Sequence, residues 1–287
     1  MNTPGIHRNL PAGLYHADPA ISASRLKLVH DGSPAHLKRE LDEPREVTWE
    51  MIFGTLVHSV VLEPEAPLPS IATFPDTYVV PDDVKPAKGG PGPGDTVPWN
   101  NRTNYCKAWR AAKEAEGFIV CSRESLDEVF IAAEVIKANR HVMRYLDGSQ
   151  QELSMFWKTA RGNRIKARMD FKPALPVLGD IKTTLDASPD GFRKQAFNLG
   201  YHLQAAWYTD LWNLVGDSRI DRFVFIAYEK RARVVTVFPC TERFIEEGRN
   251  AYIAALAQVE DALATGIWPG YTDEEVELDL PVWVRPA

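Results

Sequence analysis

Cysteine is scarce: only Cys106, Cys121 and Cys240 occur in 287 residues, and no two stand close enough to suggest a zinc ribbon or an iron–sulfur cluster. The odd count and wide spacing read as free thiols in a reducing compartment. Long apolar runs are missing too. Nowhere does a stretch approach the roughly 20 residues needed to cross a bilayer, and the N-terminus has no basic segment leading into an apolar one. A soluble, cytoplasmic protein without membrane contact is expected. Excess positive charge is also absent, with 33 Lys and Arg against 39 Asp and Glu and a net charge of −6. Holding nucleic acid by bulk charge is therefore excluded, and any DNA contact must come from a local basic surface plus bound metal.

What is present is a globular mixture, 45% hydrophobic and 25% charged, enough for a substantial core. After Ser22 or Ser24 a short helix is expected, broken by the turn at Asp31 to Pro34 and followed by a second, basic helical piece. The run VTWEMIFGTLVHSVVL, residues 47–62, is nearly continuously apolar and ends at Glu63-Pro64, which suits a buried helix stopped by proline. Residues 81–100 are dense in proline and glycine and read as a mobile loop. Helical spacing returns over 101–145, with Leu126, Phe130, Ala133, Ile136 and Val142 along a buried stripe.

At Gln150 the pattern changes. QELSMFWKTA, RIKARMDFKP and VLGDIKTT read as three short strands linked by tight turns. A helix over 190–214, bent near Gly200, precedes two more strands, RFVFIAYEK and RVVTVFP. Thr241 then caps a closing helix through about Ala264. The order predicts an α/β sandwich with a mixed sheet. A single domain over 1–287 is expected, with a mainly helical part at 20–149 and an α/β core at 150–270.

The strand period of two puts Lys166, Arg168 and Asp170 on one face of RIKARMDFKP, with Ile165, Ala167, Met169 and Phe171 on the other. In LGDIK it sets Asp180 and Lys182 side by side, with Ile181 in the core. Two adjacent strands thus gather two carboxylates and an ammonium. Hard carboxylate oxygens bind Mg²⁺, which polarises a phosphate and lowers the pKa of a bound water. A neighbouring lysine orients or deprotonates that water and stabilises the developing charge. The Ile181 carbonyl, lying between, is a natural further ligand. Taken alone, a D-x-K triplet is a common exposed strand pair worth under about 1 kcal/mol. Here it has company. Gly54, which permits close approach, and His58 lie one turn apart on the upstream helix, His58 as a neutral imidazole ligand. Gln204 and Tyr208 share a face of the downstream helix, opposite a core stripe of Leu203, Trp207, Leu211 and Leu214. Lys158, Arg161, Arg164, Lys166, Arg168, Arg193 and Lys194 cluster around these segments as candidate phosphate contacts.

GTLVH (54–58), RMD (168–170), DIK (180–182) and QAAWY (204–208), in that order, resemble the PD-(D/E)xK nuclease superfamily, its RecB-like branch, and within it the phage and prophage exonuclease VIII (RecE-type) nucleases. ISASRLKLV, the K-T-T-x-D-A-S tail after Lys182 and a late Trp-Pro extend the resemblance over about residues 20–270. It implies a restriction-endonuclease-like core, a central mixed sheet flanked by helices with N-terminal helical additions. It further implies metal ligation by His58, Asp170, Asp180 and the Ile181 carbonyl, with Lys182 as catalytic lysine. Gln204 and Tyr208 would act in catalysis or DNA positioning, Lys166 and Arg168 would contact substrate, and Glu152 matches a frequent acidic position that could meet a second metal. The four cysteines of iron–sulfur members are lacking, so no cluster is inferred. The activity implied is a Mg²⁺-dependent DNA exonuclease, with Mn²⁺ as substitute, working 5′-to-3′ on linear duplex ends beside a single-strand annealing recombinase, in a ring-shaped homo-oligomer. The alternatives are a structure-specific or single-strand nuclease of the same superfamily, or a non-catalytic DNA-binding module.

Overall fold

In the computed structural model, which describes residues 2–43, 45–85 and 89–280, the chain opens with β1 (Gly5–His7), α1 (Ala12–Ala17), α2 (Ala23–Asp31), α3 (Pro34–Asp42) and α4 (Trp49–Leu62). Then come β2 (Ile71–Thr73), β3 (Thr77–Val79), β4 (Thr96–Pro98), α5 (Asn104–Ala115), β5 (Ile119–Cys121), α6 (Arg123–Ala138) and α7 (Arg140–Leu146). The second half is β6 (Gln150–Lys158), β7 (Arg164–Lys172), β8 (Val177–Thr184), α8 (Pro189–Asn198), α9 (Tyr201–Val215), β9 (Arg222–Glu229), β10 (Val234–Pro239) and α10 (Glu242–Thr265).

Six strands form one sheet in the order β1-β6-β7-β8-β9-β10. Neighbours are antiparallel except β8 and β9, parallel from Val177↔Arg222 to Thr184↔Glu229. The crossover through α8 and α9 makes that parallel pair possible. Helices cover both faces, so the architecture is the mixed, helix-flanked sheet expected from the element order.

The apolar run of α4 starts behind the Thr48 cap, whose side chain accepts from Met51 N, and stops before Pro64. Phe53, Leu56 and Val57 pack there with Ile136, Val142, Ile181 and Ile226 on one face of the sheet. On the other face Leu26, Leu203, Trp207 and Ala255 pack against Met155, Ala167 and Met169. Each large side chain fully buried this way contributes about 1.5–3 kcal/mol, so the sheet is a middle layer between two cores. Helix α9 is the inner helix of its layer, with residues 201–207 all buried. Gly200, at φ 63°, supplies the left-handed break before it. Helix α10 crosses α9 so closely that a Cβ on Gly248 would lie 1.9 Å from the His202 carbonyl oxygen.

Several local expectations differ from the structure. Strand β1 joins the sheet edge through Gly5↔Phe156 to His7↔Ser154, and three residues are too few to show a period. Strand β4, paired with β3, lies inside the stretch 81–100 expected to be a loop, and residues 86–88 of that stretch lie outside the described residues. In α6 the buried stripe is Val129, Ala132, Ala133 and Ile136, while Phe130 is 41% exposed. Leu214 of α9 likewise faces outward. Among the described residues no helix is long and apolar enough to cross a membrane.

Candidate metal centre

The site begins with a slip in β7. Ile165, Ala167 and Met169 share the α9 face as a period of two requires, but Phe171 packs into the opposite core with α4 and α6. Alternation therefore fails at Asp170. Directly across, between the pairs Gln151↔Phe171 and Leu153↔Met169, Glu152 takes φ 51°. That left-handed conformation costs a non-glycine residue about 1–3 kcal/mol and persists only where the surroundings impose it.

Strands β7 and β8 meet through one pair, Phe171↔Gly179. Glycine is needed there, because a Cβ would sit 2.0 Å from the Phe171 ring. A continued ladder would set Asp170 against Asp180 and then Met169 against Ile181. Instead the strands part, and the Asp170 carboxylate enters the gap, its Oδ2 accepting from Ile181 N at 2.6 Å. A side chain thus satisfies the amide that the interrupted ladder would leave unpaired.

His58 closes this fork from α4. Its Nε2 donates to the Ile181 carbonyl oxygen at 2.8 Å, since a carbonyl only accepts. Its Nδ1 lies 3.3 Å from Asp170 Oδ2. His58, Glu152 and Asp170 each bring one donor atom, all within 4.8 Å of one another. Among the described residues this three-donor group contains Glu152, which the resemblance matched to a frequent acidic position that could meet a second metal. Gly54 plays no close-approach role, because a Cβ there would meet Thr183 Oγ1 at an ordinary 3.6 Å.

Asp180, close enough to Asp170 for its charge to act on that carboxyl, is held from α9. Gln204 Nε2 donates to its Oδ2 at 2.5 Å, and Lys182 Nζ lies 2.5 Å from its Oδ1. Lys182 also stands 4.9 Å from the Tyr201 ring centroid. Tyr208 follows Gln204 one turn on, its phenol pushed well up by burial, then by Tyr15 and the two aspartates, so it keeps its proton. Sequence spacing showed no signal for Lys27, whose Nζ donates to Gln204 Oε1 at 3.2 Å.

Two substrate contacts expected from the sequence are spent elsewhere. Lys166 is 4% exposed, and its Nζ donates to the carbonyls of Tyr15 and Asp18, both at 2.7 Å. It pins the chain entering α2 and offers nothing to a phosphate. Arg168 is bound through Nε to Glu152 at 2.5 Å and through Nη1 to the Leu10 carbonyl at 2.9 Å. The alternation was right, but the N-terminal segment covers that face. Arg161, Arg164 and Arg193 are paired with Asp261, Asp18 and Asp190. Lys158 and Lys194 have no carboxylate partner among the described residues.

Burial, then the charge of Asp180, pushes the Asp170 carboxyl up to about 7. Burial pulls His58 down, yet Asp170, Asp180 and Glu152 together outweigh it and its pKa rises. For Lys182 burial is likewise outweighed, chiefly by Asp180, so its ammonium keeps its proton. Crowded carboxylates beside an imidazole and a backbone carbonyl form a hard oxygen and nitrogen donor set, short of positive charge, and such a set fits Mg²⁺ or Mn²⁺.

Residues 22–278 match the model of a family described as a PDDEXK-like domain of unknown function (DUF3799). No curated protein matches the sequence. Among solved structures, a protein from Eubacterium rectale provisionally described as an exonuclease superposes with a TM-score of 0.60 at 12% identity, covering 96% of this chain and 97% of that chain. At such identity the likeness shows the fold alone. A phage-related exonuclease from Haemophilus somnus 129PT aligns over 36% of this chain and 58% of its own at 16% identity, with a TM-score of 0.26 that carries no argument.

Proposed function

The chain belongs to the PDDEXK-like family, and from that membership we propose that it is a metal-dependent DNA nuclease whose centre lies in the fork between β7 and β8. The carrying observation is the convergence there of His58, Glu152 and Asp170 within 4.8 Å, with the Asp180–Lys182 pair alongside. His58, Asp170, Asp180 and the Ile181 carbonyl would hold Mg²⁺, with Mn²⁺ as substitute, and Glu152 joins them. When bound, the ion polarises the scissile phosphate and lowers the pKa of a bound water.

The chain's own groups do the rest. Lys182 keeps its proton because Asp180 favours its charged form, so it serves as a donor that orients the attacking water and meets the charge growing on the phosphate. Asp180 holds that ammonium in place, and Gln204 holds Asp180 from the other oxygen. Tyr208 remains a neutral donor beside Gln204.

The finer assignment is a 5′-to-3′ exonuclease on linear duplex ends, acting in phage-type recombination beside a single-strand annealing recombinase in the bacterial cytoplasm, as a homo-oligomer. It is supported by the exonuclease VIII pattern of the four motifs and by the exonuclease description of the Eubacterium rectale protein. The test is digestion of linear duplex DNA, labelled separately at its 5′ and 3′ ends, with Mg²⁺ or EDTA and a closed-circular control. Metal-dependent loss of linear DNA with early release of the 5′ label is expected. Cutting of the circle would replace the exonuclease with an endonuclease, and no cutting would remove the catalytic reading.

A further inference from the structure

Two lysines approach the carboxylate of Asp180, one directly and one through Gln204. Lys27 Nζ donates to Gln204 Oε1 at 3.2 Å, and Gln204 Nε2 donates to Asp180 Oδ2 at 2.5 Å. Lys27 Nζ stands 5.0 Å from the Tyr201 ring centroid and Lys182 Nζ 4.9 Å from it. One aromatic ring thus serves both ammonium groups. The stem of Lys27 lies against Gly200, where a Cβ would come 3.1 Å from its Cγ. This lysine is half-buried where α2 packs against α9.

An amide presents an acceptor at one end and donors at the other, while an ammonium offers donors only. With Lys27 in place, the oxygen of Gln204 must face Lys27 and its NH₂ must face Asp180. Without Lys27 the amide is free to turn and set its oxygen against the carboxylate. We propose that Lys27 is a positioning residue of the centre, fixing the orientation of Gln204 and through it the Asp180 carboxylate; this rests on the metal-dependent nuclease reading above. Burial, then the charge of Lys182, holds Lys27 down to about 7. Lys27 also lines a cavity of about 250 Å³ with Ser22, Ser24, Arg25 and Tyr208, so direct contact with substrate is the rival to exclude.

The experiment is a double-mutant cycle at pH 6, where Lys27 carries its proton, with Lys27→Met, which keeps the stem, and Gln204→Met, each checked for folding by thermal melting. Two quantities are read: Mn²⁺ affinity by calorimetry with the metal alone, and kcat and KM on linear duplex DNA. Loss of an outer partner of a ligand costs about 10–100-fold in metal affinity or activity. Lys27→Met should therefore weaken Mn²⁺ binding and lower kcat by about tenfold or more, with KM little changed and with no further loss when Gln204→Met is already present. Additive losses, or a raised KM with kcat and Mn²⁺ affinity unchanged, would overturn the proposal. If the wild type binds Mn²⁺ but cuts no DNA, the nuclease reading fails while calorimetry still decides the role of Lys27. Absence of both binding and cutting overturns both.

Discussion

His58 Nε2 lies 2.8 Å from the carbonyl oxygen of Ile181, so a helix of one layer is hydrogen-bonded to the backbone of a strand just where that strand leaves its neighbour. The bond fixes the imidazole tautomer and leaves Nδ1 facing Asp170. An imidazole oriented through its second nitrogen is the usual arrangement of a metal-binding histidine.

Asp180→Ala and Lys182→Ala should each lower cleavage by at least about a hundredfold, the scale on which a single transition-state contact acts. The fold should survive, because neither change removes apolar core volume. Steady-state kinetics on linear duplex DNA, with circular dichroism as control, checks this. Full activity in Asp180→Ala would sink the site.

Asp170 yields a prediction of opposite sign for stability. Its raised pKa means that the folded chain holds a proton that the unfolded chain releases from about pH 4 upward. His58, also raised, acts in the same direction. Without metal, stability should therefore fall as pH rises from about 5 to 7, and the increase in Tm on adding Mn²⁺ should grow over the same interval. Asp170→Asn, whose Oδ1 still accepts from Ile181 N, should stabilise the metal-free protein by about 1–3 kcal/mol at pH 8 while abolishing Mn²⁺ binding. Urea titration and calorimetry measure the two effects.

Lys166 separates a buried pin from a phosphate contact. Lys166→Met should lower stability by about 1–3 kcal/mol, since the carbonyls of Tyr15 and Asp18 lose a charged donor. It should leave the slope of log affinity against log salt for duplex DNA unchanged, whereas a true phosphate contact would reduce that slope by about one. Fluorescence anisotropy at several salt concentrations, with Ca²⁺ in place of Mg²⁺, tests it.

At Gly179 even one methyl is excluded. Gly179→Ala should destabilise by about 1–3 kcal/mol or more, because the added carbon would lie 2.0 Å from the Phe171 ring. Urea denaturation gives the value, and a change below about 0.5 kcal/mol would show that the ring moves aside freely.

Long periodic stretches were legible in the sequence, and irregular ones were not. Strands β6 to β10 and helices α4, α9 and α10 fall close to where alternation, the apolar run ending at Pro64, Gly200 and Thr241 placed them. Two pairings were legible, because helix and strand periods set His58 toward Asp170 and Lys182 beside Asp180, at 3.3 and 2.5 Å. Glu152 was legible only as an acidic position that could meet a second metal; the β6–β7 register sets it across from Asp170, and no pattern announces its left-handed conformation. Phe171 escaped for the same reason: the period of two slips at Asp170, and a slip is visible only once the strands are paired. Lys27 reads as an ordinary charge on a short helix, and only the packing of α2 on α9 brings it to Gln204. Lys166 and Arg168 fall on the predicted face, which the N-terminal segment then covers.

The fork between β7 and β8 also gives the protein a spectroscopic gauge. Because the Ile181 amide donates to a carboxylate at 2.6 Å and not to a neighbouring backbone, its proton chemical shift and solvent-exchange rate follow the charge on that one group. A single backbone resonance would thus report the ionisation of the centre in a resting sample, with neither substrate nor a label on any side chain.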